Sequence, residues 1–340
     1  MREVFIIDMR AWLTRLIDSK EKKPIPILSF PGVQLLGVTV EDLIADSGTQ
    51  TKVIKAVADR CDTAAAAVGF MDLSVEAEAF GAAVRFSAGE VPTIPAPLID
   101  GEEAARALPV PPPGAGRTSR YIEAIGQAAR LITDRPVFGG VIGPFSLAGR
   151  LMGMTEAMIA SCTQPDIVHI LLRKATEFII SYVNGYKDAG AHGVVMAEPA
   201  AGILSPALND AFSTPYVREI VGAAQDDTFL VLYHNCGNTL PLLPSILSNG
   251  AAAYHFGNAV AMDEVLRRVP GDVAVMGNLD PSGLFHGGTP ESVREGTRAL
   301  MAACGKHRNF IPSSGCDIPP LTPWENIDAF FGAVREYYGQ

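Results

Sequence analysis

Residues 229–237 read FLVLYHNCG, a short apolar run that ends in His234, Asn235, Cys236 and Gly237. A run of this length, rich in bulky residues and closed by a glycine, predicts a strand that is buried on both faces. Side chains two positions apart in an extended chain point to the same side. We therefore expect His234 and Cys236 to project together from the carboxyl end of this strand.

Similar runs recur along the chain, and segments of helical length separate them. The predicted strands are Ile25–Ser29, Thr63–Gly69, Val137–Ile142, Gly193–Ala197, Phe229–His234, Ala252–His255, Val273–Met276 and Phe310–Pro312. The predicted helices include Asp166–Ala189, Thr214–Ala224, Met262–Val269, Pro290–Cys304 and Thr322–Tyr338. This alternation predicts a parallel sheet covered by helices, and eight strands favour an α/β (β/α)8 TIM barrel over an open doubly wound sheet.

The chain is expected to form one barrel domain over residues 1–340, with a helical extension at 1–22 and an excursion from the barrel rim at 72–116. Within the excursion, Val84–Ser87 and Val91–Ile94 are predicted to pair as a short hairpin.

Two helix starts carry capping signals. Thr289 precedes Pro290 and an acidic first turn, as an N-cap residue does. Thr322 has Glu325 three residues after it, which is the spacing of a capping box.

Composition narrows the class of protein. The 340 residues carry 27 Lys and Arg against 37 Asp and Glu, a net charge of −10, and 48% of them are hydrophobic. This apolar content excludes disorder as the main state, and the acidic balance argues against a nucleic-acid partner. No apolar run is long enough to span a bilayer, and charged residues interrupt the N-terminal stretch where a signal peptide would be apolar. We therefore expect a cytoplasmic protein with no membrane partner.

The chain has five cysteines, and an odd number argues against a disulfide framework. Cys61, Cys162 and Cys304 lie in helical contexts and are predicted to pack in the core. Cys316 differs because it follows the predicted strand Phe310–Pro312, as Cys236 follows its own strand.

His234, Cys236 and Cys316 are therefore expected to converge where the carboxyl ends of the strands meet. One imidazole and two thiolates form a ligand set typical of zinc, and three protein ligands leave the fourth position open for a substrate. Such a neutral site favours a bound thiolate and suits the alkylation of sulfur. The alternative is two unrelated buried cysteines beside a strand-end histidine.

Other polar residues also follow predicted strands. Glu198 is a candidate catalytic group that could fill the fourth zinc position or hydrogen-bond a ligand, or it could be a solvated acid. Asp72, Asn278, Asp280 and His255 are candidates for substrate binding. The alternatives are turn formation for Asn278 and Asp280 and polar packing for His255.

These motifs together resemble the uroporphyrinogen decarboxylase superfamily, and within it the methylcobamide:coenzyme M methyltransferases and the chloromethane-utilisation methyltransferases. The resemblance runs nearly from end to end. Its motifs are MDLSVEAEAFG (71–81), GPFSLAGRLMG (143–153), HNCGNT (234–239), GNLDP (277–281) and SSGCDIPPLTPWENI (313–327).

The resemblance implies a (β/α)8 barrel in which His234, Cys236 and Cys316 bind zinc. It also implies methyl transfer between a methylcobamide and a zinc-bound thiol such as coenzyme M. The chain lacks the Asp-x-His-x-x-Gly motif for binding a corrinoid, so the cobamide is expected on a partner corrinoid protein or free in solution.

Three other functions stay open. The methyl group could move in the opposite direction, from a methoxyl compound, a methylamine or a methyl halide to Co(I). The second is decarboxylation of a porphyrinogen. Decarboxylases of the superfamily carry an Arg-Gln-Ala-Gly-Arg motif near the N-terminus, whereas residues 29–33 here read SFPGV. The third is a non-catalytic scaffold that zinc stabilises.

Overall fold

The computed structural model of the protein describes residues 7–339, and its centre is a curled sheet of seven parallel strands. Each strand pairs with the next one along the chain, in the order β1 to β7. The strands are β1 (Ala67–Val68), β2 (Val137–Ile142), β3 (Gly193–Ala197), β4 (Leu230–Asn235), β5 (Ala253–Phe256), β6 (Ala274–Leu279) and β7 (Phe310–Ser314). The predicted α/β class and parallel sheet are confirmed.

Sixteen α-helices fall within the described residues, and most of the longer ones cover the outside of the sheet. They are α1 (Met9–Asp18), α2 (Val33–Leu36), α3 (Val40–Ala45), α4 (Ser47–Arg60), α5 (Val75–Ala79), α6 (Gly101–Ala107), α7 (Thr118–Leu131), α8 (Pro144–Met152), α9 (Met154–Thr163), α10 (Pro165–Asp188), α11 (Pro206–Phe212), α12 (Thr214–Ala224), α13 (Leu243–Leu247), α14 (Met262–Arg268), α15 (Pro290–Cys304) and α16 (Trp324–Tyr337).

The predicted strand Ile25–Ser29 is not a strand in the structure, although it lies where an eighth strand would close the sheet. The Ile25 N–H donates to the Pro312 carbonyl of β7 at 3.0 Å, and the Ala65 N–H donates to the Pro24 carbonyl just before β1, also at 3.0 Å. Pro24 and Pro26 lack N–H groups, so this segment cannot form a continuous ladder. It is an extended segment between the two edges.

The two faces of the sheet belong to two different apolar clusters. In β4, Leu230 and Leu232 lie in the inner cluster, whereas Val231 and Tyr233 lie in the outer one beneath the helices. Helix α1 joins the inner cluster through Trp12. Because side chains alternate along a strand, the residue after Tyr233 faces the inside of the curled sheet.

The predicted local features are only partly confirmed. The hairpin in the excursion is reduced to one antiparallel bridge between Arg85 and Thr93. Thr289 does cap α15, with a capping box to Ser292. The capping box predicted at Thr322 is wrong, because α16 begins at Trp324 and the buried Thr322 hydroxyl has no hydrogen-bond partner in the described structure.

The division into one domain with an extension and an excursion stays a prediction. Helix α1 lies within the predicted extension, whose first six residues are outside the described part of the chain. Across residues 7–339, no helix combines the length and the apolar character needed to cross a membrane.

Candidate metal centre

The three predicted zinc ligands lie together at the carboxyl ends of two strands. His234 is the penultimate residue of β4, and Cys236 is the first residue after that strand. Cys316 is the second residue after β7. The donor atoms of the three side chains all lie within 4.8 Å of one another. His234 Nε2 and Cys316 Sγ are 3.4 Å apart.

The local chain geometry brings the cysteines close to the imidazole. His234 is 2% exposed and continues the inner face of β4, while both cysteines are only half-buried. A Cβ atom at Gly257 would lie 2.5 Å from Cys236 Cα, so only glycine allows the loop after β5 to pack this closely against the loop after β4. The cluster is therefore held by closely packed loops, while both cysteines keep part of their surface exposed.

The two thiols are coupled. A hydrogen bond from Cys316 lowers the pKa of the Cys236 thiol, and the same hydrogen bond, together with burial, raises the pKa of the Cys316 thiol. One sulfur therefore already favours the thiolate, and the other holds the proton that a metal would displace. Two such sulfurs and an imidazole nitrogen are a donor set that fits zinc.

His255 lies directly beside the candidate ligand His234, in the neighbouring strand. It is the register partner of His234 in the neighbouring strand, and the Nδ1 atoms of the two rings are 2.7 Å apart. Its other nitrogen, Nε2, lies 2.8 Å from Ser313 Oγ. Burial lowers the pKa of His255 well below its ordinary range. Its predicted role in substrate binding stays a prediction.

Glu198 is fully buried and lies outside the group of metal donors. Its two carboxylate oxygens accept hydrogen bonds from the backbone N–H groups of Phe145 at 2.8 Å and Ser146 at 2.9 Å, in the first turn of α8. The Ser213 hydroxyl also donates to it, at 3.1 Å. Burial raises the pKa of Glu198. The side chain therefore caps a helix, and its predicted role at the metal stays a prediction.

The remaining predicted substrate-binding residues have partners within the protein. Asp72 is buried and pairs with Arg117 at 2.5 Å. The Asn278 amide donates to the carbonyl of Gly257 at 2.9 Å and so anchors the loop that packs on Cys236. Asp280 accepts hydrogen bonds from two backbone N–H groups of the turn that follows it. Their roles toward a substrate stay predictions.

A cavity of about 530 Å³ adds a residue that the sequence analysis missed. It lies between Ile94–Pro97, α8 and the turn Pro199–Ile203, and Arg150 is the one charged residue among the described residues that line it. Arg150 makes no hydrogen bond or ion pair with the described part of the chain, although the charges of Glu76 and Asp72 lie near. The feature of the sequence that could have indicated Arg150 is that it is the single charged residue in an otherwise apolar helix.

The three other cysteines behave differently from one another. Cys61 and Cys304 are buried, as predicted. Cys162 is exposed, so the prediction that it packs in the core is wrong. It lies near the end of α9, between the buried Ser161 and the exposed residues 163–166.

Comparisons with known proteins agree with this architecture. The sequence profile of the family Uroporphyrinogen decarboxylase (URO-D) matches residues 34–337. A protein of Pseudomonas fluorescens (strain SBW25) named uroporphyrinogen decarboxylase is 30% identical over 305 residues, which cover 83% of this chain and 81% of that protein. A protein of the same name from Pseudoalteromonas atlantica is 27% identical over 296 residues, covering 81% of this chain and 79% of that protein.

Among solved structures, a methyltransferase from Methanosarcina mazei superposes with a TM-score of 0.87. The match covers 98% of this chain and 100% of that chain at 20% sequence identity. At this sequence identity the structural similarity shows the fold alone. The shared fold includes nearly all of both chains.

Proposed function

This chain belongs to the uroporphyrinogen decarboxylase family, and on that premise we propose that it is a zinc-dependent corrinoid methyltransferase. The proposed reaction moves a methyl group between a methylcobamide and a small thiol. The observation that carries the proposal is the convergence of His234, Cys236 and Cys316, whose donor atoms lie within 4.8 Å of one another. Among residues 7–339, no fourth His, Cys, Asp or Glu joins this group, which leaves a position for a substrate.

His234, Cys236 and Cys316 would hold the zinc ion, which when bound supplies a Lewis acid that keeps the thiol deprotonated near pH 7. Two protein thiolates and a neutral imidazole would balance the 2+ charge of that ion. A bound substrate thiolate would bring the net charge of the centre to −1 and would remain electron-rich. The sulfur–carbon bond forms as the cobalt–carbon bond breaks, and the electron pair of the broken bond stays on cobalt.

We propose that the cobamide is delivered from outside the chain, by a corrinoid protein or in free form. The sequence lacks the Asp-x-His-x-x-Gly corrinoid-binding motif, and both cysteines follow the carboxyl ends of strands and are only half-buried. A large planar cofactor could approach the cluster only from that side, because the inner face of the sheet below it is filled by apolar side chains.

The cavity next to Arg150 is our proposed site for the small substrate. Its turn Pro199–Ile203 also contacts the loop after β4, because a Cβ at Gly237 would lie 2.7 Å from Gly202 Cα. An arginine with free donors in an apolar cavity favours a ligand with an acid group. Arg150→Gln should raise the KM for 2-mercaptoethanesulfonate about tenfold and leave that for 2-mercaptoethanol unchanged. The exposed Arg130→Gln is the control, and equal effects on both thiols would contradict the assignment.

A second candidate is decarboxylation of a porphyrinogen, which the names of the sequence relatives favour. Such a substrate carries several carboxylates, and cations are needed to hold them. The region 29–33, where decarboxylases carry their arginine motif, has no cationic residue here and is buried. For this reason we place decarboxylation second.

The decisive assay offers methylcobalamin with a panel of thiols to the zinc-loaded protein under anaerobic conditions. We expect the absorbance of Co(I) to appear together with a methyl thioether. The reverse arm mixes Co(I) with methoxyl, methylamine and methyl halide donors. A protein that is inert in both arms but consumes uroporphyrinogen would overturn the proposal in favour of decarboxylation.

A further inference from the structure

A chain of three hydrogen bonds leads away from the candidate ligand His234 to the backbone at the open edge of the sheet. His234 Nδ1 lies 2.7 Å from His255 Nδ1, and His255 Nε2 lies 2.8 Å from Ser313 Oγ. The Ser313 hydroxyl donates to the Ile25 carbonyl at 2.7 Å. The two imidazoles and the hydroxyl are each no more than 2% exposed, so solvent does not compete for these bonds.

The last acceptor in this series of hydrogen bonds determines the position of every proton in the series. The Ile25 carbonyl can only accept, so the single hydroxyl proton of Ser313 is used there. His255 Nε2 must then donate to Ser313 Oγ. If Ser313 donated to His255 instead, two oxygens would lie 2.7 Å apart with no proton between them. A neutral His255 with its proton on Nε2 has a bare Nδ1, which accepts the proton that His234 carries on Nδ1.

We infer that His255 and Ser313 are positioning residues that fix the tautomer and the ring orientation of His234. With its proton on Nδ1, His234 presents a lone pair at Nε2, the nitrogen that faces Cys316 Sγ. In an unconstrained neutral histidine, either nitrogen can carry the proton. The hydrogen-bond chain therefore selects the form of the ring that can bind a metal.

The nature of the acceptor matters for the charge of the centre. Metal-binding histidines commonly donate to a carboxylate, a backbone carbonyl or water, and a carboxylate raises the basicity of the ligand. Here the acceptor is a buried neutral imidazole, which adds no charge. The donor set of one neutral imidazole and two thiolates then balances a divalent ion, as the proposed chemistry requires. The inference rests on the proposed metal site but is independent of which reaction occurs there.

The first test reads the hydrogen bond directly by nuclear magnetic resonance of protein labelled with 15N in histidine. We expect a scalar coupling across the hydrogen bond between His234 Nδ1 and His255 Nδ1, with the proton on His234, both before and after zinc loading. The signals are assigned by their loss in His234→Gln and His255→Asn. A His234 ring that carries its only proton on Nε2 would overturn the inference, whether or not zinc binds.

The second test measures zinc affinity by competition with a chelator. His255→Leu removes the acceptor and should weaken zinc binding about 10- to 100-fold, the range found when such supporting contacts are lost. His255→Asn keeps an oxygen near the Nδ1 position and should recover most of that loss. His192→Leu is the control, because His192 contacts the opposite end of the sheet, where the Val137 N–H donates to its Nδ1.

The variants His255→Leu and His255→Asn separate a positioning role of His255 from a merely structural one. If both fold with the circular dichroism spectrum of the original protein, and His255→Leu binds zinc as tightly as His192→Leu does, the inference is wrong. It is equally wrong if His255→Asn binds zinc no better than His255→Leu. Failure of the original protein to bind zinc contradicts the proposed function, while the coupling measurement still decides the tautomer.

Discussion

His234, Cys236 and Cys316 come from two stretches of chain about eighty residues apart, and the parallel sheet still brings them together. The reason is the rule that parallel strands of one sheet end on the same side, which converts two separate strand ends into one site. The environment of Glu198, Asp72 and His255 was not predictable in this way. Their partners depend on packing between distant elements, which spacing along the chain does not encode.

Loss of either cysteine should remove the metal. Purified protein should contain about one zinc per chain, and Cys236→Ala or Cys316→Ala should lose most of it, because two remaining ligands hold zinc weakly. Elemental analysis after dialysis measures the content. The exposed Cys162→Ala is the matched control and should keep its zinc. Full retention in both cluster variants would rule out this site.

Glu76 should make stability depend on pH. It is 1% exposed, one carboxylate oxygen accepts from the Ile142 N–H at 2.9 Å, and the other has no partner in the described structure. Burial raises its pKa to about 7. The folded state therefore keeps a proton on Glu76 that the unfolded chain releases near pH 4.3. The stability that this bound proton contributes is fully present below pH 4.3. It is lost as the pH rises toward 7.

Glu76→Gln keeps the hydrogen-bond acceptor and cannot ionise. The variant should gain stability over the original protein as the pH rises from 4 to 8, by on the order of 3 kcal/mol. Urea unfolding at both pH values measures the difference, with the exposed Glu90→Gln as the control. A difference between Glu76→Gln and the original protein that is the same at pH 4 and pH 8 would contradict the raised pKa.

At the scale of elements, apolar runs located the strands well because each one is buried on both faces. The bounds predicted for β2 and β3 agree with the structure at both ends. The segment Ile25–Ser29 failed for a local reason, since alternating prolines remove the donors that a ladder needs. Capping signals gave one correct and one wrong helix start, because the spacing at Thr322 also fits a buried turn ahead of α16.

The two threonines offer a matched pair of helix-start variants. Thr289 Oγ1 accepts from the Ser292 N–H at 3.3 Å, whereas the Thr322 hydroxyl is buried without a partner in the described structure. Thr289→Val should cost about 1 kcal/mol of stability, as the loss of an N-cap does. Thr322→Val should be neutral or stabilising, because it removes only an unsatisfied hydroxyl. Urea unfolding of both variants measures this, and equal losses would contradict the capping assignment.

At the scale of the whole molecule, the curled sheet gathers the candidate metal centre, the His255–Ser313 support and the Arg150 cavity near the carboxyl ends of its strands. The opposite part of the inner face is filled by apolar side chains, with α1 packed against them. The fold therefore separates a packed inner core from a polar end that is open to ligands. We propose that the three donors at that end bind zinc and leave a position for a thiol.

X-ray absorption at the zinc edge reports which atoms bind the zinc ion. In the resting protein we predict two sulfur ligands at about 2.3 Å together with nitrogen or oxygen ligands. Addition of a thiol substrate should raise the sulfur count to three, because the open position takes a soft ligand. A zinc shell without sulfur, or one with four fixed protein ligands that added thiols leave unchanged, would contradict this proposal.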